Sequence, residues 1–439
     1  MENLFSKIIS FCKRRGFVFP SSQIYGGFSS SYDFGPLGAE MKKNIKEIWW
    51  KEMTRKEKNI VGIDSAILMN PKVWEASGHL TSGFADELVE CKKCHRRFRK
   101  DFLEKDNCPE CKGELTKPRK FNLMLKTFIG PVETEASVAY LRAETCQGIY
   151  VNFQNVLQSM RLKVPFGIAQ IGKAFRNEIT PKDFIFRTRE FEQMEMQWFC
   201  KKEDADSFFE YFKEKRLNWY YDLGIRKENI RLREQEKEEL AHYAKRAVDI
   251  EYKFPFGWKE IEGIHNRGNF DLSNHSKHSK EDLSFLDEET KEKFVPDIIE
   301  TSVGVERSLL AFLCNGYNEV EEGRSNQGKT KEIILSLHPS LSPIKAAVLP
   351  LVKNKPEIRE KAKEVYSMLK SHFAVSYDET GSIGRRYRRQ DEIGTPFAVT
   401  IDFETINDNC ATIRNSETMK QERIKIDKIL YFLKDNLEK

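Results

Sequence analysis

Residues 169–199 read AQIGKAFRNEITPKDFIFRTREFEQMEMQWF, and the fold turns on this stretch. Two extended segments are joined by a polar loop. The first, residues 168–177, is mostly apolar with a basic turn at its end, and Thr180, Pro181, Lys182 and Asp183 then supply turn chemistry. The second, residues 187–199, alternates: a period of two puts Arg187, Arg189, Phe191, Gln193, Glu195 and Gln197 on one face of a strand. Two arginines, an aromatic, two amides and a carboxylate make a poor core face. They suit a floor under something flat, anionic at one end and cationic at the other. Arg176 and Glu178 share a face in the same way. A solvated outer face of an antiparallel hairpin is the plain alternative.

Working outward, the chain of 439 residues is long enough for two or three domains. It carries 73 Lys+Arg against 68 Asp+Glu, a net charge of +5, so any nucleic-acid surface must be a local patch. No apolar run approaches the ~20 residues of a membrane span, which points away from a membrane protein. The opening MENLFSKIISFCKRRGF has a lysine inside its apolar stretch and reads as an amphipathic helix ending near Gly16, not as a signal peptide. The nine cysteines are an odd number, and Cys12, Cys146, Cys200, Cys314 and Cys410 are scattered among apolar neighbours, as in a reducing, cytoplasmic compartment.

The spacing predicts a glycine- and serine-rich loop over 25–38. A helix follows over 40–57, with Met41, Ile45, Ile48 and Trp49 on one side, and then a strand over 60–68. Residues 201–223 read as a helix burying Phe208, Phe209, Phe212, Leu217 and Tyr220, residues 234–245 as a charged, solvated helix, and 254–272 as strand. His265 reads as an ordinary satisfied histidine, and His275 and His278, with no cysteines nearby, as an improbable metal site. Residues 297–307, DIIETSVGVER, read as a strand running into a helix at Gly304. HPSLSPIK, 338–345, is a linker. Beyond it, strands (346–351, 373–377, 397–401, 411–413) alternate with helices (357–370, 383–393, 421–433), which implies a mixed α/β sheet.

Cys91-x-x-Cys94 and Cys108-x-x-Cys111 flank a short basic loop. Two such pairs offer four thiolates at tetrahedral reach, and zinc is the metal such a set favours. Two disulfides or a redox pair are the other readings. The basic side chains of this insert (Lys92, Lys93, Arg96, Arg97, Arg99, Lys100) are either a solvated surface or a contact for nucleic acid. In Arg385-Arg386-Tyr387-Arg388-Arg389 a basic run encloses an aromatic, which suits phosphates plus base stacking. A solvated helix face with one buried tyrosine explains it as well.

The hairpin also carries a resemblance. Phe175-Arg176-x-Glu178, a loop, then Arg187-x-x-x-Phe191-x-x-x-Glu195 resembles motif 2 of the class II aminoacyl-tRNA synthetases. Gly304-Val305-Glu306-Arg307 resembles motif 3. VGIDSAILMNPKVWEASGH around Pro71 resembles motif 1 of one branch, the homodimeric glycyl-tRNA synthetases, and YDFGPLG (32–38) and LRAETCQG (141–148) are similar to that branch too. The five blocks fall in order over nearly the whole chain.

The resemblance implies an α+β fold. An antiparallel class II sheet flanked by helices occupies 1–340, with a zinc-knuckle insert at about 88–116 and a further insert at about 201–253, and an α/β anticodon-binding domain occupies 341–439. It implies glycine attachment to tRNA(Gly) with ATP as substrate, Mg2+ near Glu260, a structural Zn2+ on the four cysteines, and a homodimer. For ATP it implies Arg176, Asn177, Glu178, Phe186, Arg187, Thr188, Arg189, Glu190 and Phe191 on the hairpin. Glu260, Ile261, Gly304, Val305, Glu306 and Arg307 join them. For glycine it implies Arg99, Glu144, Phe191, Gln193, Glu195, Glu300, Thr301, Ser302 and Gly304. Arg176, Arg307 and Glu195 would be catalytic, and Arg385, Arg386, Arg388 and Arg389 would meet tRNA. The chain departs from the family pattern at Lys100 and Cys146, where alanine is usual, and at Ala143 and Thr301, where proline is usual. A sister synthetase for another amino acid is an alternative. So is a non-catalytic relative that binds nucleic acid, although such relatives lose the arginines and glutamates present here.

Overall fold

The computed structural model describes residues 3–81, 84–103, 105–179, 183–241, 243–320 and 332–437. Thr180, Pro181 and Lys182 of the expected turn lie outside them. Seven strands form the central sheet: β1 (Ile60–Gly62), β2 (Phe166–Phe175), β3 (Glu190–Cys200), β4 (Ile230–Glu234), β5 (Arg246–Phe254), β6 (Gly257–Gly268) and β7 (Asp297–Gly304). Their spatial order is β4-β5-β6-β7-β3-β2-β1, antiparallel except where β1 joins β2. The helices of this domain include α1 (Leu4–Arg15), α2 (Pro36–Lys51), α3 (Pro71–Ala76), α4 (Cys146–Val151), α5 (Ala205–Asp222), α6 (Phe270–Ser279) and α7 (Val305–Gly316).

The alternation holds within β3, but Arg187 and Arg189 lie before it and Arg176 and Glu178 beyond the end of β2, on the connection between the two strands. Met194, Met196 and Trp198 point into a core shared with Met41, Ile45 and Trp49 of α2, Phe209 and Phe212 of α5, and Leu309 and Leu310 of α7. The polar residues face the other way. The apolar stripe of α2 therefore packs on its own sheet, and truncating fully buried Trp49 to Ala would cost roughly 3–5 kcal/mol. Register does the rest: Gln193 lies opposite Gly304, Glu195 opposite Ser302, and Gln197 opposite Glu300.

Helix α1 ends as its sequence indicates, with Asn3 accepting from the Ser6 amide at 2.8 Å and Gly16 at φ 74° closing the C-terminus. Helix α2 starts four residues before the expected point, because Pro36 pre-sets the first turn. The strand expected over 60–68 is three residues long, since the chain leaves the sheet edge to reach Asn70, which caps α3. Residues 234–245 form no helix among those described. Their side chains reach neighbouring strands instead: Glu239 pairs with Arg233 of β4 at 2.8 Å, and Gln235 Nε2 donates to Asp249 of β5 at 2.8 Å. Nor do residues 201–253 stand apart as an insert. They supply α5, β4 and β5, the outer third of the sheet.

The C-terminal domain orders β8 (Ala346–Pro350), β9 (Val375–Tyr377), β10 (Phe397–Ile401), β11 (Cys410–Asn415) and β12 (Gln421–Lys425) as β9-β8-β10-β11-β12. It is the mixed sheet expected. Helices α8 (Pro356–Lys370) and α10 (Ile426–Leu437) pack on one face, and α9 (Ile383–Glu392) on the other. The helix expected over 421–433 splits into β12 and α10, because Arg423 is drawn to Asp402 and Asp408, both on the neighbouring segment. The linker is pinned to α2, where Asn44 Nδ2 donates to Leu341 O at 3.3 Å and to Ser342 O at 2.9 Å. Two residues earlier, Lys42 pairs with Glu306 of α7 and with Glu192 of β3.

Candidate active site

One cleft lies over β3, β6 and β7, open to solvent at one end and enclosed at the other. Of the residues singled out in the sequence, Glu144, Arg176, Glu178, Phe186, Arg187, Thr188, Phe191 and Gln193 line it. So do Glu195, Glu260, Glu300, Ser302, Gly304, Glu306 and Arg307. Others do not line it. Thr301 sits between Glu300 and Ser302, so the two-residue period sends it to the opposite face, fully buried; Ile261, at a register shift in β6, and Val305, the first residue of α7, also belong to the core. Glu190 is exposed and pairs with Lys173. Arg189 donates to Ser29 O at 2.8 Å and Glu178 O at 3.3 Å, and the Asn177 amide donates to Leu123 O at 2.8 Å, so both brace the hairpin. Arg99 is held outside the cleft by Asp86 at 2.8 Å and Asp101 at 2.6 Å.

At the open end, arginines rest on aromatics. Arg176 donates Nε to Ala143 O at 3.0 Å and lies 5.4 Å from the Phe191 ring centroid. Arg307 lies 4.6 Å above Phe186, and its Nη1 is 3.2 Å from Glu260 Oε2. Phe186 is thus the ring beneath Arg307. Arg187 donates to Glu178 at 3.2 Å. Partial enclosure raises the Glu260 carboxyl, but Arg307 and His265 together bring it below its usual value. Glu306 is buried, held by Lys42 and by the Glu192 amide at 2.9 Å, and so fixes the start of α7 against β3.

At the closed end, three carboxylates converge with their partners in place. Glu195 Oε1 accepts from Ser302 at 2.7 Å and Gln193 at 3.0 Å, and its Oε2 accepts from Thr145. Burial, together with Glu300 and Glu144, pushes this carboxyl up to about 7. Glu300 accepts from Gln197 at 2.8 Å and from Arg267 at 3.1 Å, and His265 Nδ1 is 3.1 Å away. Burial alone would raise it, but Arg267 and His265 bring it down to about 2. Arg267 is bound in turn to Asp271 at 2.8 Å. His265 and Arg267, with Tyr243, line the cleft although the sequence reading set His265 aside as ordinary. Gly263, His265 and Arg267 alternate on β6, and that pattern was the available signal.

A family model described as the tRNA synthetase class II core domain (G, H, P, S and T) matches residues 131–315, and one described as the anticodon binding domain matches 345–436. The chain is 52% identical to a glycine–tRNA ligase of Treponema denticola, over 98% of this chain and 97% of that one. It is 50% identical to the glycine–tRNA ligase of Thermobifida fusca, again over 98% and 97%. A third relative, from Borrelia garinii subsp. bavariensis, is 53% identical over the same shares. The chain belongs to the glycine–tRNA ligase family.

In this member of the glycine–tRNA ligases the four cysteines of the insert come together. Cys91 and Cys111 have their sulfurs 3.5 Å apart, Cys94 and Cys108 3.7 Å, and all nine cysteines are free. Four thiolates about 2.3 Å from a central metal would be separated by about 3.8 Å, so the set has the size of a tetrahedral site. The Cys94 amide, followed by that of Lys93, draws the Cys91 thiol down to about 6. A Cβ on Gly113 would fall 3.0 Å from Cys91 Sγ and 3.3 Å from Cys111 Sγ, so the backbone is cut back to make the cradle.

The basic run of this glycine–tRNA ligase lies on α9 and divides. Arg386 is buried and donates to Glu379 O at 3.0 Å, Gly381 O at 2.6 Å and Pro350 O, so it cannot meet a nucleic acid from there. Arg389 binds Asp378 at 2.8 Å, Arg388 binds Glu332 at 2.7 Å, and Arg385 is exposed.

Proposed function

We propose that the chain attaches glycine to tRNA(Gly) in two steps, and that the cleft is where both occur. The observation that carries this is the pairing of a buried three-carboxylate floor with a shelf of arginines on aromatics. Glu144, Glu195 and Glu300 receive the ammonium group of a small amino acid, and a side chain larger than hydrogen would meet packed Gln193 and Ser302. The adenine lies against Phe191 and under Arg307, with Glu178 accepting from its amino group. Arg176 faces the α-phosphate. The glycine carboxylate oxygen attacks the α-phosphorus, the bond to the bridging oxygen breaks, and pyrophosphate leaves. Arg176 offsets the charge that grows at phosphorus, and Arg187 holds the outer phosphates. Helix α7 begins at the cleft, so its N-terminal dipole adds positive potential there.

Mg2+ arriving with ATP supplies phosphate-charge neutralisation, and Glu260 at the mouth is the carboxylate placed to hold it. In the second step the terminal ribose hydroxyl of the tRNA attacks the glycyl carbonyl and AMP leaves. The same reading makes the metal on Cys91, Cys94, Cys108 and Cys111 a structural Zn2+. It gives tRNA contact to the basic insert and to Arg385, Arg388 and Arg389, and makes the protein a cytoplasmic homodimer, for which the free cysteines suit a reducing compartment. No helix among the described residues is long and apolar enough to cross a membrane. The test is amino-acid-dependent pyrophosphate exchange across a panel of amino acids. Exchange with glycine alone is expected, and exchange with threonine, proline or serine instead would overturn the glycine reading.

A further inference from the structure

The tail of α3, VWEASGH (73–79), plays no part in the chemistry above, yet its last residue lies against the floor of the cleft. His79 is buried, and its Nε2 stands 3.4 Å from Glu144 Oε1. The ring is clamped on both sides. Trp74 meets it edge-on at 5.3 Å and Phe84 lies 4.5 Å away. The Ser77 hydroxyl sits 2.8 Å from Nδ1 and also reaches Trp74 O at 3.3 Å, and Nε2 is the ring nitrogen facing the carboxylate. The backbone is held as well, since Asn122 Nδ2 donates to His79 O at 2.8 Å.

Glu144 is gripped on one oxygen. Cys146 Sγ and Gln147 Nε2 each donate to Oε1 at 3.0 Å, and His79 approaches the same atom. Oε2 is thereby left to face the cleft that Glu144 lines. Burial would raise this carboxyl, yet His79 and Arg267 hold it well below the usual carboxylate range. A carboxylate meant to receive an ammonium group needs that arrangement: ionised, fixed in rotamer, and open on one side.

We propose that His79 is a positioning residue of the amino-acid pocket. Braced by Ser77, it turns Glu144 so that one oxygen is committed to the protein and the other to the substrate's ammonium group. The inference rests on glycine as the occupant of that pocket, so Glu144→Gln serves as the control.

The measurement is glycine-dependent pyrophosphate exchange by the full chain. His79→Ala is expected to raise the KM for glycine about tenfold while kcat and the KM for ATP stay within about threefold, and Ser77→Ala to raise it less in the same direction. His79→Gln, which keeps a donor, recovers part of the loss. The double variant His79→Ala with Glu144→Gln matches Glu144→Gln alone, because His79 acts through that carboxylate. An unchanged glycine KM in His79→Ala, with Glu144→Gln raising it, overturns the role of His79 and leaves the pocket reading standing. An unchanged KM in Glu144→Gln overturns the pocket reading itself. Should His79→Ala fail to fold, Ser77→Ala and His79→Gln decide the matter: a lowered melting temperature with no change in glycine KM overturns the proposal.

Discussion

At the floor of the cleft each carboxylate already has its partners: Glu195 has Ser302, Gln193 and Thr145, Glu300 has Gln197 and Arg267, and Glu144 has Cys146 and Gln147. At the mouth, Arg176 and Arg307 lie on rings and lean on carbonyls, and Arg187 and Arg307 each meet one carboxylate. The floor is rigid because charges withdrawn from water must be satisfied before any ligand arrives. The mouth handles a larger, charged, flexible ligand, and its groups can move onto it at small cost. On the proposed reading, rigidity marks where the small substrate is selected, and the less committed side chains mark where the large one is seized.

The sharpest way to break this contrast is at the mouth. Arg176→Ala is expected to lower glycine-dependent exchange about 10²–10³-fold with stability changed by less than about 1 kcal/mol. Unchanged exchange would remove Arg176 from the reaction. Next comes the floor, where the reverse should hold. Arg267→Ala strands Glu300 and Asp271, and urea unfolding should show a loss of about 3–5 kcal/mol. A loss as small as that of Arg176→Ala would erase the distinction.

A third test uses pH. With the Glu195 carboxyl raised to about 7, the ionised form that receives an ammonium group is present above pH 7 and lost below it. The glycine KM should therefore be flat above pH 7 and rise about tenfold per pH unit below it, while the KM for ATP stays flat. Parallel rises in both would place the titration elsewhere. The mildest effect lies outside the cleft. On the proposed zinc reading, Cys108→Ser should lower the metal content found by elemental analysis and weaken tRNA charging while exchange stays within about twofold. Equal loss of both activities would tie the insert to the chemistry.

Much of this was legible in the sequence, for identifiable reasons. The alternation of β3 is a two-sided code, and both sides are long enough to read. The strand into helix at Gly304 and the paired cysteines carry equally local signals. Arg386 shows where reading fails. Ile383, Arg386 and Gln390 fall on one helical stripe, and that stripe faces inward, where the carbonyls of Pro350, Glu379 and Gly381 wait. Residue type argued for solvent, and the partners that reverse the argument are distant in sequence. Thr301 failed for want of register, since a one-residue step changes the face. His265 looked plain, and Arg267 was not singled out, because what distinguishes them is their contact with Glu300, a strand away.

Helix α2 carries Lys42 and Asn44 within one turn, the first gripping Glu192 and Glu306 and the second gripping the interdomain linker. Sixteen residues of helix make a rod of about 24 Å, stiff on the scale of these contacts. A displacement of the distal lobe would therefore bear on the start of α7 through Lys42, and the rod would work as a lever with its load and its handle almost at the same point.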